Sequence, residues 1–259
     1  MADIHFTPNV DADGEPEPWL RPALMAPWWE IVLVLVVMLG PFAYSSAHYA
    51  LGGKSADFVS HMLTDRGFLR LMAMEGGLLA LLLFYLRWRG WTPDDFKIRL
   101  DWKGTLIAPF LMIGAGLANA LTSVLLKLWV VWQAPHPHGM LAAYVAQSPH
   151  IPRHSIEIGW LLIFLGSTVN AFLEELVFMG YAFNQFAARR GPLFALLSMV
   201  FLRMLLHTYK GPLEMLGIAA FSFVYGLAYC YLIRLWPLIL AHAGMDILAF
   251  SALKIFFGR

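Results

Sequence analysis

The chain has 259 residues, of which 59% are hydrophobic and 14% are charged, and its formal net charge is +1. A soluble domain carries about 25% charged residues, so this composition excludes an ordinary soluble protein and indicates a polytopic membrane protein. The net charge gives no reason to expect a nucleic acid partner. The single cysteine, Cys230, excludes a disulfide framework and a thiolate metal cluster.

The N-terminal segment, 1–27, is acidic and contains several prolines (DADGEPEPWLRP). It lacks the basic region followed directly by an apolar core that marks a cleavable signal peptide. We expect a tail here, with Trp28 and Trp29 at the level of the lipid headgroups. The rest of the chain, 28–259, is predicted to form one membrane domain.

A spanning helix needs about 20 mostly apolar residues. Seven segments are candidates: 31–51, 68–86, 106–132, 158–186, 193–209, 215–233 and 236–257. The fifth is the shortest and is expected to be partly sunk in the bundle. The connection 133–157 is rich in histidine and proline and is predicted to be a solvated loop, since its spacing matches no metal-ligand pattern. The sequence therefore predicts an all-α fold, a polytopic membrane helix bundle with about seven transmembrane helices.

The distribution of Lys and Arg in the short connections predicts the orientation of the bundle. If the helices alternate in direction, one side carries Arg87, Arg89, Lys97, Arg99, Lys103, Arg189, Arg190 and Arg234. We expect this side and the N-terminus to be cytoplasmic and the C-terminus to lie outside. The expected location is a bacterial plasma membrane, in which lipid surrounds the protein.

Ionisable residues interrupt three of the apolar segments near the C-terminus. They are Glu174 and Glu175 (NAFLEELVFMGY), Arg203 and His207 (FLRMLLHTY), and His242 and Asp246 (LAHAGMDIL). A charged side chain at the bilayer centre costs about 2.5–3.5 kcal/mol, so these groups must face each other or a hydrated cavity. Glu75 also lies in an apolar segment, and we interpret it as a structural or pore-lining group.

The helical spacing of these residues predicts that they converge. His242 and Asp246 are four residues apart, as are Arg203 and His207, so each pair shares a helix face. Glu174 and Glu175 point about 100° apart, so one can reach a cavity while the other braces a neighbouring helix. Such a set can hydrolyse a bond with a metal-bound water, or with a carboxylate base and imidazoles that stabilise the oxyanion. The alternative is that these residues form structural hydrogen bonds between helices and do not form a catalytic site.

Three stretches resemble the CPBP intramembrane proteases, the relatives of the type II CAAX prenyl endopeptidase that are also called the Abi family. They are EELVFMG, the apolar helix ending in His207, and GLAYCYLIRLWPLILAHAGMD. The family motifs are Glu-Glu-x-x-x-Arg, Phe-x-x-x-His and His-x-x-x-Asn/Asp, in this order. The resemblance covers about 158–250, the CPBP-like core, with a weaker similarity in RWRGWTPDDF.

This resemblance implies an intramembrane endopeptidase that cleaves a peptide or protein substrate. Glu174 would activate water, Glu175 would support it, and His207, His242 and Asp246 would complete the site. In the family these groups line a cavity open to the cytosolic side. If a metal is bound, zinc or a similar divalent ion would be held by Glu174, His207, His242 and Asp246; a metal-free glutamate mechanism is the alternative.

Two positions depart from the family motifs. Met179 stands where the motif has arginine, and Arg203 stands where it has phenylalanine. Our hypothesis is that Arg203 reaches across to Glu175 and replaces the missing guanidinium, because a guanidinium can meet a carboxylate with two hydrogen bonds. The alternative is that Arg203 extends toward a lipid headgroup.

Two other functions are compatible with the same residues. The first is a catalytically inactive scaffold or immunity-type protein of the CPBP fold. The second is a transporter that uses the polar cluster as a proton or ion relay. The sequence has none of the repeated halves or paired broken helices typical of many transporters.

Overall fold

The structure is a computed structural model that describes residues 19–53, 61–96, 98, 100–133 and 157–257. Most of the predicted tail (1–18) and of the predicted loop (134–156) lie outside the described residues, as do Lys97 and Arg99.

The described residues form seven helices and no sheet, which confirms the predicted all-helical fold. The helices are α1 (Trp28–Leu51), α2 (Asp65–Trp88), α3 (Trp102–Gln133), α4 (Trp160–Arg190), α5 (Pro192–Leu206), α6 (Pro212–Leu232) and α7 (Trp236–Phe257). Six of them are long and apolar enough to cross a membrane, whereas α5 has only 15 residues. The chain is therefore an integral membrane protein.

The turns on either side of α5 share one construction. Gly191 and Gly211 have φ angles of 82° and 86°, in the left-handed region that glycine enters without steric cost. Pro192 and Pro212 then occupy the first turns of α5 and α6, where a helix has no use for the missing N–H. Gly191 alone separates α4 from α5, and residues 207–211 separate α5 from α6; connections this short favour antiparallel neighbours.

Residues 19–27 pack against the bundle. Leu20, Leu24 and Ala26 are buried. Arg21 donates to Asp95 through Nε at 2.6 Å and through Nη2 at 2.7 Å. Burial alone would raise the pKa of Asp95, but hydrogen bonds from Arg21 and Thr92 outweigh it and lower that pKa.

The start of α1 lies beside the ends of α2 and α4. Gln185 Nε2 donates to the Leu24 carbonyl at 2.8 Å, and Arg89 Nε lies 2.8 Å from Glu30 Oε1. The starts of α3 and α7 also meet, because Arg234 Nη1 donates to Asp101 Oδ2 at 2.7 Å. We call this the basic end of the bundle, since it carries Arg21, Arg87, Arg89, Lys103, Arg189, Arg190 and Arg234.

Contacts at the opposite end complete the alternation of the helices. The end of α1 meets the residues after α5, because Ser46 Oγ lies 2.8 Å from Thr208 Oγ1. The region before α4 meets the start of α2, where Gly159 N donates to Asp65 Oδ1 at 2.7 Å. It also meets the end of α7, where Lys254 Nζ donates to the Ile158 carbonyl at 2.6 Å. Each helix therefore runs opposite to the one before it, and α5 follows this order although it is short.

The centre of the bundle is the second half of α4. Residues Leu176–Phe183 form a π-helical segment and are all buried. Gly180 lies close to Leu235 and Phe96, where an added Cβ would come within 3.3 Å of the leucine. Asn184 Nδ2 donates to the Gly180 carbonyl at 2.8 Å and supports the widened turn. π-helical segments are rare overall, but many of those that occur lie at functional sites. This one begins directly after Glu175.

Candidate active site

Glu175 is the centre of a buried ion network. Its side chain is fully buried, and its Oε1 accepts hydrogen bonds from Arg203 Nη2 and from His242 Nδ1, the latter at 2.7 Å. Because a carboxylate only accepts, His242 carries a proton on Nδ1. The network joins α4, α5 and α7, so Glu175 braces two neighbouring helices.

Arg203 is 1% exposed and is enclosed by aromatic rings. Its guanidinium carbon lies 4.8 Å from the ring centre of Phe178, 5.4 Å from that of Phe221 and 5.5 Å from that of Tyr225. Ring faces stabilise a cation electrostatically when water is excluded. Arg203 therefore points into the bundle and meets Glu175, as hypothesised from the sequence, and it does not extend toward a headgroup.

Glu174 faces a cavity of about 480 Å³ that lies in the half of the bundle next to the opposite end. Lining residues come from the second halves of α1 and α7, the first halves of α2 and α4, and the chain between α5 and α6. Arg203 Nε lies 3.9 Å from Glu174 Oε2, so the two glutamates share one cation. The adjacent glutamates thus have different surroundings, as their angular separation predicts.

His207 and Asp246 line the same cavity as Glu174. His242 does not; it is 6% exposed and lies behind the lining, with its Nε2 3.7 Å from Asp246 Oδ2. That separation is too long for a hydrogen bond but allows charge attraction. Of the four residues predicted to converge, the structure therefore brings three to the cavity and places His242 next to Asp246.

The environment of His207 differs from the simple helical expectation. α5 ends at Leu206, and His207 follows with a φ of −113°. Its Nδ1 lies 3.0 Å from the carbonyl oxygen of Arg203. A carbonyl only accepts, so Nδ1 carries a proton and Nε2 is the nitrogen left for a substrate or water. His207 therefore contacts the Arg203 backbone, and the Arg203 side chain turns away from it toward α4.

Asn170 is a cavity residue that was not predicted from the sequence. It lines the cavity, and its Nδ2 donates to Asp246 Oδ2 at 2.8 Å. Asn170 precedes Glu174 by four residues, so helical spacing places both on one face and was a signal for finding it. This bond fixes Asp246 on α7 against α4.

Replacing Asn170 with alanine is expected to lower the free energy of unfolding by about 1.5–3 kcal/mol, because a hydrogen bond to a charged group contributes this much and Asp246 would lose its donor. Asn170→Asp should be worse, because it would place a second carboxylate against Asp246. The measurement is the free energy of unfolding of the purified variants in detergent or bicelles. Thr168→Ala is the control, because the Thr168 hydroxyl donates to the Phe164 carbonyl of its own helix; equal losses of stability in the two alanine variants would contradict the role of Asn170 between α4 and α7.

Glu75 of α2 lines the same cavity and is 4% exposed. Glu174, Asp246 and His242 lie close enough to act on it electrostatically. It is therefore part of the cavity wall, in agreement with its interpretation as a pore-lining group.

The residues suggested as metal ligands do not fit a metal ion in this arrangement. No three His, Cys, Asp or Glu side chains within the described ranges are placed to hold one. His242 lies behind the cavity lining with its Nδ1 bonded to Glu175, so it is separated from the cavity that Glu174, His207 and Asp246 line. The guanidinium of Arg203 already supplies a positive charge beside Glu174.

Comparison with known proteins gives one match. The model of the family described as "Type II CAAX prenyl endopeptidase Rce1-like" matches residues 156–248. No curated protein and no solved structure matches the chain. The matched range contains α4, α5, α6 and the first half of α7, and with them every site residue named above except Glu75. It confirms the resemblance seen in the three sequence motifs. Residues 156–248 are a domain of the Rce1-like, or CPBP, type II CAAX prenyl endopeptidase family.

Proposed function

We propose that this protein is an intramembrane endopeptidase that hydrolyses peptide bonds with a water molecule activated by Glu174. Membership of the family suggests a protease. The proposal depends on a difference between the two glutamates. Glu175 is hydrogen-bonded to Arg203 and His242, whereas Glu174 faces a cavity large enough for water and a segment of peptide.

In this mechanism Glu174 accepts a proton from water, and the water oxygen attacks the peptide carbonyl carbon. Arg203 attracts Glu174 from behind and orients its carboxylate. His207 offers its unprotonated Nε2 to the substrate side, where it can accept a hydrogen bond from the attacking water and orient it. Glu175, His242, Asp246 and Asn170 position these groups, and no step requires a metal.

The departures at Met179 and Arg203 do not remove the cation beside Glu175. The structure has a guanidinium at this carboxylate, supplied by α5. This favours an active enzyme over an inactive scaffold, because the charge balance of the site is kept. A relay transporter needs a polar route through the membrane, whereas the cavity occupies one half of the bundle and ends at the buried Arg203 network.

The test is cleavage of a peptide library by the purified protein in proteoliposomes, with products identified by mass spectrometry. We expect internal cleavage that leaves one new amine and one new carboxylate. A protein that cleaves no member of the library, yet retains its fold, would favour the scaffold. The library is necessary because nothing in the described residues selects a sequence.

Chelators are expected to leave this activity unchanged, because no three candidate ligands among the described residues are placed to hold a metal ion. The measurement is the cleavage rate after dialysis against EDTA, with metal content determined on the same sample. Loss of activity that zinc restores would contradict the metal-free mechanism.

We propose that the basic end is cytoplasmic, following the positive-inside rule, in a bacterial plasma membrane with a cytoplasmic N-terminus. The cavity, at the other end, then belongs to the outer half of the bundle. This differs from the cytosolic opening implied by the family resemblance.

Labelling of single introduced cysteines measures the orientation. The method is available because the chain has one native cysteine, Cys230, which is buried and can be replaced. In a Cys230→Ala background, Leu51→Cys marks the opposite end and Arg190→Cys marks the basic end. We expect a membrane-impermeant maleimide to label intact cells at position 51 and not at position 190. The reverse pattern would invert the orientation and place the cavity on the cytoplasmic side.

A further inference from the structure

Glu75 is a second carboxyl group in the cavity for which the mechanism above has no use. It lies in the middle of α2, within LRLMAMEGGLL, and is 4% exposed. It comes from outside the matched family domain, which begins at residue 156. A buried carboxyl group in a spanning helix is costly unless it has a partner or a function.

Glu75 shares its cavity with acidic and basic groups. The acids Glu174, Asp246 and Glu214 line it, as do His207 and Lys210. Glu174 and Asp246 repel a negative charge at Glu75, whereas His242, behind the lining, attracts one. Among the described residues, Glu75 forms no ion pair and no hydrogen bond with another side chain. Burial and neighbouring carboxylates both favour the neutral, protonated form of a carboxyl group.

Hydrolysis of a peptide bond also needs a proton donor for the leaving nitrogen. When the carbon–nitrogen bond breaks, the leaving nitrogen must be protonated, because an amide anion is too basic to leave. Glu174 receives its proton from the water on the attacking side. Two carboxyl groups in one cavity, one ionised and one protonated, divide the roles of base and acid.

We propose that Glu75 is the general acid of the reaction, the group that protonates the leaving amine. This rests on the proposed endopeptidase function. The oxygen of water forms a bond to the carbonyl carbon while its proton passes to Glu174. The carbon–nitrogen bond then breaks as the Glu75 proton passes to the nitrogen. The proton on Glu174 returns to Glu75 through water, which restores both groups with no net change beyond hydrolysis.

The competing explanation is that Glu75 only shapes the cavity wall. The two explanations differ in their dependence on the leaving group. An acid is needed for a basic amine and is dispensable for a leaving group that departs as a stable anion. A structural role affects both kinds of substrate equally.

The experiment compares a peptide amide with the corresponding activated ester, both cleaved by the full-length protein in proteoliposomes. Glu75→Gln keeps the shape of the side chain and removes the proton. We expect it to lower amide cleavage by about 100-fold or more and ester cleavage by less than about tenfold. Glu75→Asp should recover part of the amide activity. The control is Glu214→Gln, because Glu214 lines the same cavity but is paired with Lys127 and Ser123.

Equal losses on amide and ester would overturn the inference and leave the proposed function intact. A wild type that cleaves neither substrate would overturn both. Infrared spectroscopy tests the proton without any substrate: wild type at neutral pH should show a protonated carboxylic acid band that is missing in Glu75→Gln. Identical spectra of the two proteins would also overturn the inference.

Discussion

Replacing Glu174 with glutamine is expected to lower the rate of peptide cleavage by about 100- to 10,000-fold, the usual contribution of a general base. The amide has nearly the same shape as the carboxylate but cannot accept a proton from water. Because Glu174 is the glutamate that lines the cavity, the buried network around Glu175 should survive the change. The rate is measured as single-turnover cleavage in proteoliposomes, beside a thermal unfolding curve of the same variant.

Glu214→Gln is the matched control for this prediction as well. Its carboxylate lines the same cavity and lies 2.5 Å from Lys127 Nζ. We expect it to cleave peptide at the wild-type rate. If Glu174→Gln kept full activity, or if both variants lost it equally, Glu174 would not be the base.

Arg203→Phe, which restores the family residue at this position, is expected to destabilise the fold by about 3–5 kcal/mol. The reason is that Glu175 is fully buried and would lose its cation. The measurement is the free energy of unfolding in detergent or bicelles, together with the yield of folded protein.

Adding Met179→Arg should restore much of the lost stability. Met179 is buried and lies four residues after Glu175 on α4, where the family motif has its arginine. Glu175→Gln added to Arg203→Phe is a second route, since it removes the unpaired charge; it should recover stability but not the bond to His242 at full strength. If the Met179→Arg double variant is no more stable than Arg203→Phe alone, Arg203 does not replace the motif arginine.

The fold could be predicted from the sequence because a segment that crosses lipid must be a long apolar helix with its backbone hydrogen bonds satisfied internally. Long apolar segments placed every helix within four residues of its observed bounds. The sequence was also sufficient for the contact between Arg203 and Glu175, because a missing arginine on one helix and an unexpected one on the next are both costly unless they compensate. Each of these inferences depended on free energies large enough to leave few alternatives.

Features that depend on local geometry were not predicted. The π-helical segment after Glu175 has no signature in its apolar residues, since the same side chains suit an ordinary α-helix. The hydrogen bond between His207 Nδ1 and the Arg203 carbonyl depends on the end of α5 at Leu206. Asn170 carries no charge, so the cost of burying an ionisable group does not mark it, although it is four residues from Glu174.

The length of α5 has a consequence for the lipid around the protein. Its 15 residues rise about 22 Å, whereas the hydrocarbon core is about 30 Å thick. Leu193, Phe194, Leu197 and Phe201 of α5 are exposed along one side, so this short helix borders lipid. A helix this short favours a locally thinner bilayer beside His207 and Lys210, where the chain turns back. Acyl chain length should therefore affect this protein, with short-chain bilayers accommodating α5 and thick, ordered bilayers straining a helix that ends directly before the cavity residue His207.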